Sequence, residues 1–168
     1  MFVKPDMKVL ELACGTGQFT QPLSVYAKEW VATDFSDKMV KECSEKIKGN
    51  NITYRVLDAT NIECCDNSFD VVLIGNALHV MPEPEKALSE IYRVLNNDGK
   101  LFAPTFIVED KNESLRVKVL EKIGFRIYSK WNSESFIEFI SKHGFEVIHK
   151  SEIGTKQLTL LNIVAKKN

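Results

Sequence analysis

The sequence predicts an α/β fold: a doubly wound sheet of seven strands, mostly parallel and closed by a carboxy-terminal antiparallel hairpin. Three observations predict it. Apolar runs of strand length alternate with segments of helical periodicity over residues 8–108. A loop with two glycines follows the first of those runs directly. Two β-rich runs end the chain, separated by a polar connection containing Gly154.

KVLELA (8–13) is a compact apolar run and reads as a buried strand. The glycine loop comes next, and a helix is expected from Gln18 to Ala27. WVATDF (30–35) reads as the second strand, ending at Asp34. Ser36 is placed to cap the following helix, where Met39, Val40, Cys43 and Ile47 share one face. Gly49-Asn50-Asn51 stops that helix. ITYRVLDA (52–59) is the third strand, ending at Asp58, and FDVVLIGNA (69–77) is the fourth. Pro82 and Pro84 delay the next helix. From Glu85 onward Ala87, Leu88, Ile91, Tyr92 and Leu95 recur at helical spacing. NNDG (96–99) should end the helix and turn the chain into KLFAPTFIV (100–108), whose Pro104 marks an edge or an irregularity.

The last third has a different rhythm. Residues 112–123 read as a helix with Leu115, Val119 and Ile123 on one side. NSESFIEFISKHG (132–144) reads as another, capped by Ser133, striped by Phe136, Ile137 and Ile140, and stopped at Gly144. FEVIHK and LTLLNIVAKK are the closing strands. No repeat, low-complexity segment or linker divides the chain, so residues 1–168 are expected to form a single domain.

Charge is balanced, 22 Lys+Arg against 23 Asp+Glu, so no basic field invites nucleic acid. Four cysteines, Cys14, Cys43, Cys64 and Cys65, form no C-x-x-C pair, and no metal site is expected. The adjacent Cys64 and Cys65 offer soft donors, but reduced thiols beside a turn is the preferred reading. No apolar run is long enough to span a bilayer, and no signal peptide precedes the first strand. The expected location is cytoplasmic, with no membrane association.

Ligands of doubly wound sheets bind beyond the carboxyl ends of the strands. The glycine loop, Asp34, Asp58 and Asn76 all fall there. The loop itself narrows the ligand. Gly15-Thr16-Gly17-Gln18-Phe19-Thr20 lacks the third glycine of a dinucleotide fingerprint and the Gly-Lys-Ser/Thr of a phosphate loop.

Taken together, these segments resemble the class I S-adenosylmethionine-dependent methyltransferases, and within them the small-molecule branch that includes ubiquinone and menaquinone biosynthesis. VLELACGTGQFT is similar to the family's first motif. Asp34 in VATDFSDKMV matches the acidic end of the second strand, and Asp58-Ala59 in RVLDAT the third motif. FDVVLIGNALHVMPEPEKALSEIYRVLNNDGKL resembles the fourth strand with its loop and helix. The resemblance covers nearly the whole chain and implies a Rossmann-like fold. It implies S-adenosyl-L-methionine as cofactor and S-adenosyl-L-homocysteine as product. Glu11, Ala13, Gly15 and Gly17 would then shape the methionine end of the site. Asp34 would hold the ribose hydroxyls, Phe35 and Met39 flank the adenine, Asp58 and Ala59 meet its edge, and Asn76 present its backbone. One departure is clear. Family members usually carry helices before the first strand, whereas seven residues precede it here, an unusually short amino-terminal cap. A dimer mate or a partner chain is the expected source of missing cover.

Methyl transfer is an in-line displacement, for which orientation is the main requirement. His79 is the best-placed general base if the acceptor must lose a proton, although a histidine packing in its loop is the preferred reading. The acceptor is expected to be a small molecule. Residues 109–132 would line it, with Tyr128 and Trp131 as apolar walls; Arg116, Lys118, Arg126 and Lys130 read rather as a solvated face. Two alternatives remain. One is a non-catalytic or partner-dependent S-adenosylmethionine-binding module. The other, disfavoured by the missing glycine and by Asp58-Ala59, is an NAD-dependent oxidoreductase.

Overall fold

The computed structural model describes residues 2–107, 128–155 and 158–168. Among them, eight strands form one mixed sheet: β1 (Lys8–Leu12), β2 (Glu29–Asp34), β3 (Ile52–Val56), β4 (Phe69–Ile74), β5 (Leu95–Phe102), β6 (Thr105–Ile107), β7 (Phe145–Thr155) and β8 (Leu158–Lys167). The order is β3-β2-β1-β4-β5-β8-β6, with β7 on the other side of β8. β1 pairs in parallel with β2 and β4, β2 with β3, and β4 with β5. β8 runs antiparallel to β5, β6 and β7. Because β5 and β6 share one side of β8, they fill one strand position broken at Pro104. Seven positions result, as expected. Proline explains the break, since it cannot donate to the ladder.

Four helices are described: α1 (Thr20–Leu23), α2 (Asp37–Lys46), α3 (Pro84–Val94) and α4 (Ser133–Lys142). The segment expected as a helix at 18–27 is shorter. α1 is four residues, followed by a 3-10 turn at Ser24–Tyr26. Gly17 at φ +91° keeps the helix from starting earlier, and the backbone turns extended at Ala27 after the 3-10 turn. Ser36 caps α2 by accepting from the Met39 N–H. Pro84 begins α3, a position where its missing N–H costs nothing. The cap of α4 is Asn132, not Ser133. Its side chain accepts from the Ser135 N–H while the Ser135 hydroxyl accepts from the Asn132 N–H. NNDG does not separate α3 from a strand; Leu95 pairs with Phe69 at once, and Asn96–Gly99 bulge before Lys100 pairs with Val71. Gly154 lies inside β7 rather than between the last strands. The expected helix at 112–123 lies outside the described residues.

Strand alternation divides the core. Leu10, Leu12, Val72 and Ile74 face α3 and α4, packing with Ala87, Leu88, Ile91, Phe136 and Ile140. Val9, Val71 and Leu73 face the other way, with Trp30, Cys43 and Ile47. Gly17 closes the glycine loop against that second layer. A Cβ there would stand 2.1 Å from Ile47 Cδ1 and 3.0 Å from Cys43 Sγ. Gly17→Ala should therefore lower unfolding free energy by about 2–3 kcal/mol in urea titration, from overpacking and the left-handed backbone together. An unchanged urea midpoint would show that the loop is not packed on α2 in this way.

Candidate functional site

The site is assembled from chain reversals at the carboxyl ends of β1, β2 and β3 and from the loop after β4. The first reversal is tight: Ala13, Gly15 and Gly17 have φ of +53°, +54° and +91°. Such angles favour glycine, and a non-glycine residue there stores strain. Hydrogen bonds to β2 hold the turn. The Cys14 N–H donates to the Thr33 carbonyl at 2.8 Å, and the Gly15 N–H donates to Asp34 Oδ2 at 2.9 Å. Asp34 Oδ1 accepts from the Ser36 N–H at 2.9 Å. One carboxylate thus fixes the glycine loop and the entry to α2.

The two loop glycines serve different needs. Gly17 is packed, and its N–H already donates to the Cys14 carbonyl at 2.9 Å. Gly15 faces empty space, for a Cβ there would meet no heavy atom within 4 Å. Beside it lies an open cavity of about 380 Å³, lined by Ala13, Asp34, Phe35, Leu57, Asp58, Ala59, Thr60 and residues 80–83. That volume is within the usual range for a small-molecule site, roughly 300–1,000 Å³. Phe35, 77% exposed, presents an uncovered aromatic ring at the cavity. Asp58 Oδ1 accepts both the N–H and the hydroxyl of Thr60 at 2.8 Å, which fixes the carboxylate at the cavity.

Ala13, Asp34, Phe35, Asp58 and Ala59 therefore line one cavity. The remaining expected residues, Glu11, Gly15, Gly17, Met39, Asn76 and His79, do not line it. Met39 is half-buried in α2 and does not line the cavity. Asn76, just beyond β4, has φ +54° and donates its N–H to the Pro104 carbonyl at 2.8 Å. His79 sits in a 3-10 turn, Leu78–Val80, half-buried and outside the cavity lining. Tyr128 is exposed; Trp131 stacks on Phe139 at 4.8 Å; Lys130 is exposed. Arg116, Lys118 and Arg126 lie outside the described residues.

Glu11 is fully buried under the loop. Its Oε2 accepts the Thr20 hydroxyl at 2.5 Å and the Trp30 indole N–H at 2.8 Å, and its carbonyl accepts the Thr33 hydroxyl at 2.8 Å. Burial pushes its carboxyl up to about 7, against the opposing pull of the Thr20 and Trp30 hydrogen bonds. Sequence reading named Glu11 but missed Thr20 and Trp30. It also missed Thr60, whose position two residues after Asp58 is the available signal for a side-chain turn. The contribution of residues 80–83 depends on how the loop folds back and carries no motif.

The donor set and cavity fit S-adenosylmethionine: a backbone open at Gly15, carboxylates at two strand ends and an uncovered aromatic ring. Among the described residues no three His, Cys, Asp or Glu side chains are grouped to hold a metal ion, and no helix is long and apolar enough to cross a membrane.

Residues 10–103 match the family model of a methyltransferase domain. A demethylmenaquinone methyltransferase of Staphylococcus haemolyticus is 33% identical over 167 residues, covering 94% of this chain and 68% of that protein. One from Lactobacillus johnsonii is 37% identical over 106 residues, 59% of this chain but 43% of its own length. The chain thus spans less than half the length of several curated relatives that it matches. Among solved structures, an S-adenosylmethionine-dependent methyltransferase from Mesorhizobium loti has a TM-score of 0.80 at 16% identity, covering 99% of this chain and 93% of that one. One from Aquifex aeolicus has a TM-score of 0.79 at 18% identity, covering 100% and 85%.

The Glu11 carboxyl sets a pH dependence of stability. Its folded value, about 7, lies above the ordinary 4.5. Its stabilising contribution is complete below the ordinary value, declines as the unfolded chain ionises, and levels off above pH 7. The loss is on the order of 3 kcal/mol. Urea unfolding at pH 5 and pH 8 should show the drop, and Glu11→Gln should remove most of it.

Proposed function

The chain belongs to the class I S-adenosylmethionine-dependent methyltransferases, of the ubiquinone/menaquinone type, and we propose that it transfers a methyl group from S-adenosylmethionine to a small-molecule acceptor. The observation that carries this reading is the single cavity shared by Ala13, Asp34, Phe35, Asp58 and Ala59, brought together from three strand ends.

When bound, the cofactor supplies an electrophilic methyl group on a sulfonium. The chain's own residues bind and orient. Each Asp34 oxygen keeps accepting capacity beyond its one backbone N–H, so the carboxylate can take two ribose hydroxyls without releasing the loop. Phe35 offers an uncovered ring to the adenine, Asp58 a fixed carboxylate to its amino group, and Ala59 a backbone N–H to its edge. Gly15 lets the backbone come close at the methionine end, where Ala13, Gly17, Asn76 and Glu11 complete the surroundings. Met39 supports the adenine side from α2. Orienting donor and acceptor lowers the barrier without an obligatory acid or base.

The demethylmenaquinone methyltransferases among the relatives make a reduced quinone-like ring the first acceptor class to test. Two measurements check the reading. Calorimetry should find S-adenosylhomocysteine binding to the wild type and an affinity at least about 100-fold weaker in Asp34→Ala, since two charge-assisted hydrogen bonds are lost; equal affinities would remove Asp34 from the site. Labelled methyl donor should transfer its label to members of a panel of short-chain naphthohydroquinones and benzohydroquinones. Label appearing only on other metabolites would reject the quinol class.

A further inference from the structure

A second polar cluster stands beyond β4 and β6, outside the cavity lining. The Asn76 N–H on the Pro104 carbonyl brings the start of β6 beside the loop after β4. Thr105, the next residue, is 1% exposed, and its Oγ1 lies 3.4 Å from His79 Nδ1. The His79 carbonyl accepts the backbone N–H groups of Tyr128 at 2.9 Å and Ser129 at 3.1 Å. The histidine is therefore held through its backbone by one segment and approached at its ring by another. No hydrogen bond among the described residues uses Nε2. Asn76 Oδ1 is also buried without a partner, so the cluster keeps polar atoms that no hydrogen bond among the described residues uses. Burial holds the imidazole below its ordinary 6.5, which leaves the ring neutral at pH 7.

We propose that Thr105 is a positioning residue: its Oγ1 accepts the Nδ1 hydrogen of His79, leaving the Nε2 lone pair to take a proton from a hydroxyl of the methyl acceptor. This rests on the methyltransferase reading and narrows the acceptor to a hydroxyl-bearing molecule, such as a hydroxylated ring. A neutral imidazole donates at one nitrogen and accepts at the other. For Nε2 to accept, Nδ1 must carry the hydrogen, and Thr105 is the one described side chain placed to receive it. In the step, the acceptor O–H bond breaks. The proton goes to Nε2 and the electron pair stays on oxygen, which raises the nucleophilicity of that oxygen or of a carbon conjugated to it. His79 becomes an imidazolium, still donating from Nδ1 to Thr105, and afterwards returns the proton to water. A contact of 3.4 Å is long for a formed bond, and catalytic hydrogen bonds commonly shorten only when substrate is bound.

The tautomer is the decisive quantity, and a merely structural threonine would not set it. Protein carrying ¹⁵N-labelled histidine gives long-range ¹H–¹⁵N spectra at pH 7.5, with His79→Gln identifying the signals. The expected spectrum is that of a neutral ring with hydrogen on Nδ1. Thr105→Ser should retain it, and Thr105→Val should shift it toward the Nε2–H form that a free histidine side chain favours, with S-adenosylhomocysteine affinity unchanged. An Nε2–H ring in the wild type, or a tautomer indifferent to Thr105→Val, overturns the proposal. So does a tautomer lost in the serine variant, which keeps the hydroxyl and does not depend on the valine variant folding. If S-adenosylhomocysteine fails to bind the wild type, the methyltransferase reading falls instead, and the ligand-free spectra still decide the role of Thr105.

Discussion

The buried carboxyl of Glu11 is the constraint on which the site depends. Isolated beneath the glycine loop, such a group would be too costly to keep. It is kept because Thr20 and Trp30 both donate to Oε2, and because Thr33 donates to the carbonyl of the same residue. These donors come from α1 and β2. The carboxyl therefore joins the end of β1 to the two elements that flank the loop. The joint still falls short of full compensation, as the carboxyl is raised to about 7. Near neutral pH the group holds its proton part of the time. A hydrophobic residue there would pack more cheaply, yet would leave the Trp30 indole N–H without its acceptor.

Above this joint the same economy of groups recurs. Asp34 supports the loop through Gly15 and opens α2 through Ser36 before any ligand arrives. The loop does not require three glycines for ligand approach. Gly15 leaves space open, while Gly17 allows α2 to pack close through Ile47 and Cys43. In a dinucleotide fold the third glycine provides close helix packing; here Gly17 meets that need from one turn earlier. The pattern that counts against a pyrophosphate ligand is thus also a packing solution.

Much of the architecture was legible because it depends on short-range order. Strand and helix alternate visibly, Pro104 marks the break between β5 and β6, and Ser36 caps α2 as its position implies. The errors have local causes. α1 shrank because the left-handed turn extends through Gly17 and a 3-10 turn takes over at Ser24. Asn132 displaced Ser133 as cap because it could exchange hydrogen bonds with Ser135, a reciprocity that composition does not reveal. For the site, the residues at strand ends could be read because strands carry them to one rim. Thr20, Trp30 and residues 80–83 could not. Their roles arise from contacts between distant segments, such as the indole of β2 reaching across to β1.

That difference separates the two halves of the chemistry. The groups assigned to the donor lie largely between residues 11 and 59, most of them at or just beyond the carboxyl end of a strand, so parallel pairing brings these together. The groups assigned to the acceptor depend on a longer path. The chain passes from β4 through Asn76 to His79, leaves β6 at Ile107, and returns at Tyr128 and Ser129 to the His79 carbonyl. Among the described residues, backbone hydrogen bonds rather than a sheet register join its ends. A substitution in this return can therefore alter the acceptor side while the cavity around Asp34 keeps its form. On the proposed reading, one scaffold can in this way retain its donor while its acceptor changes, because different contacts build the two groups.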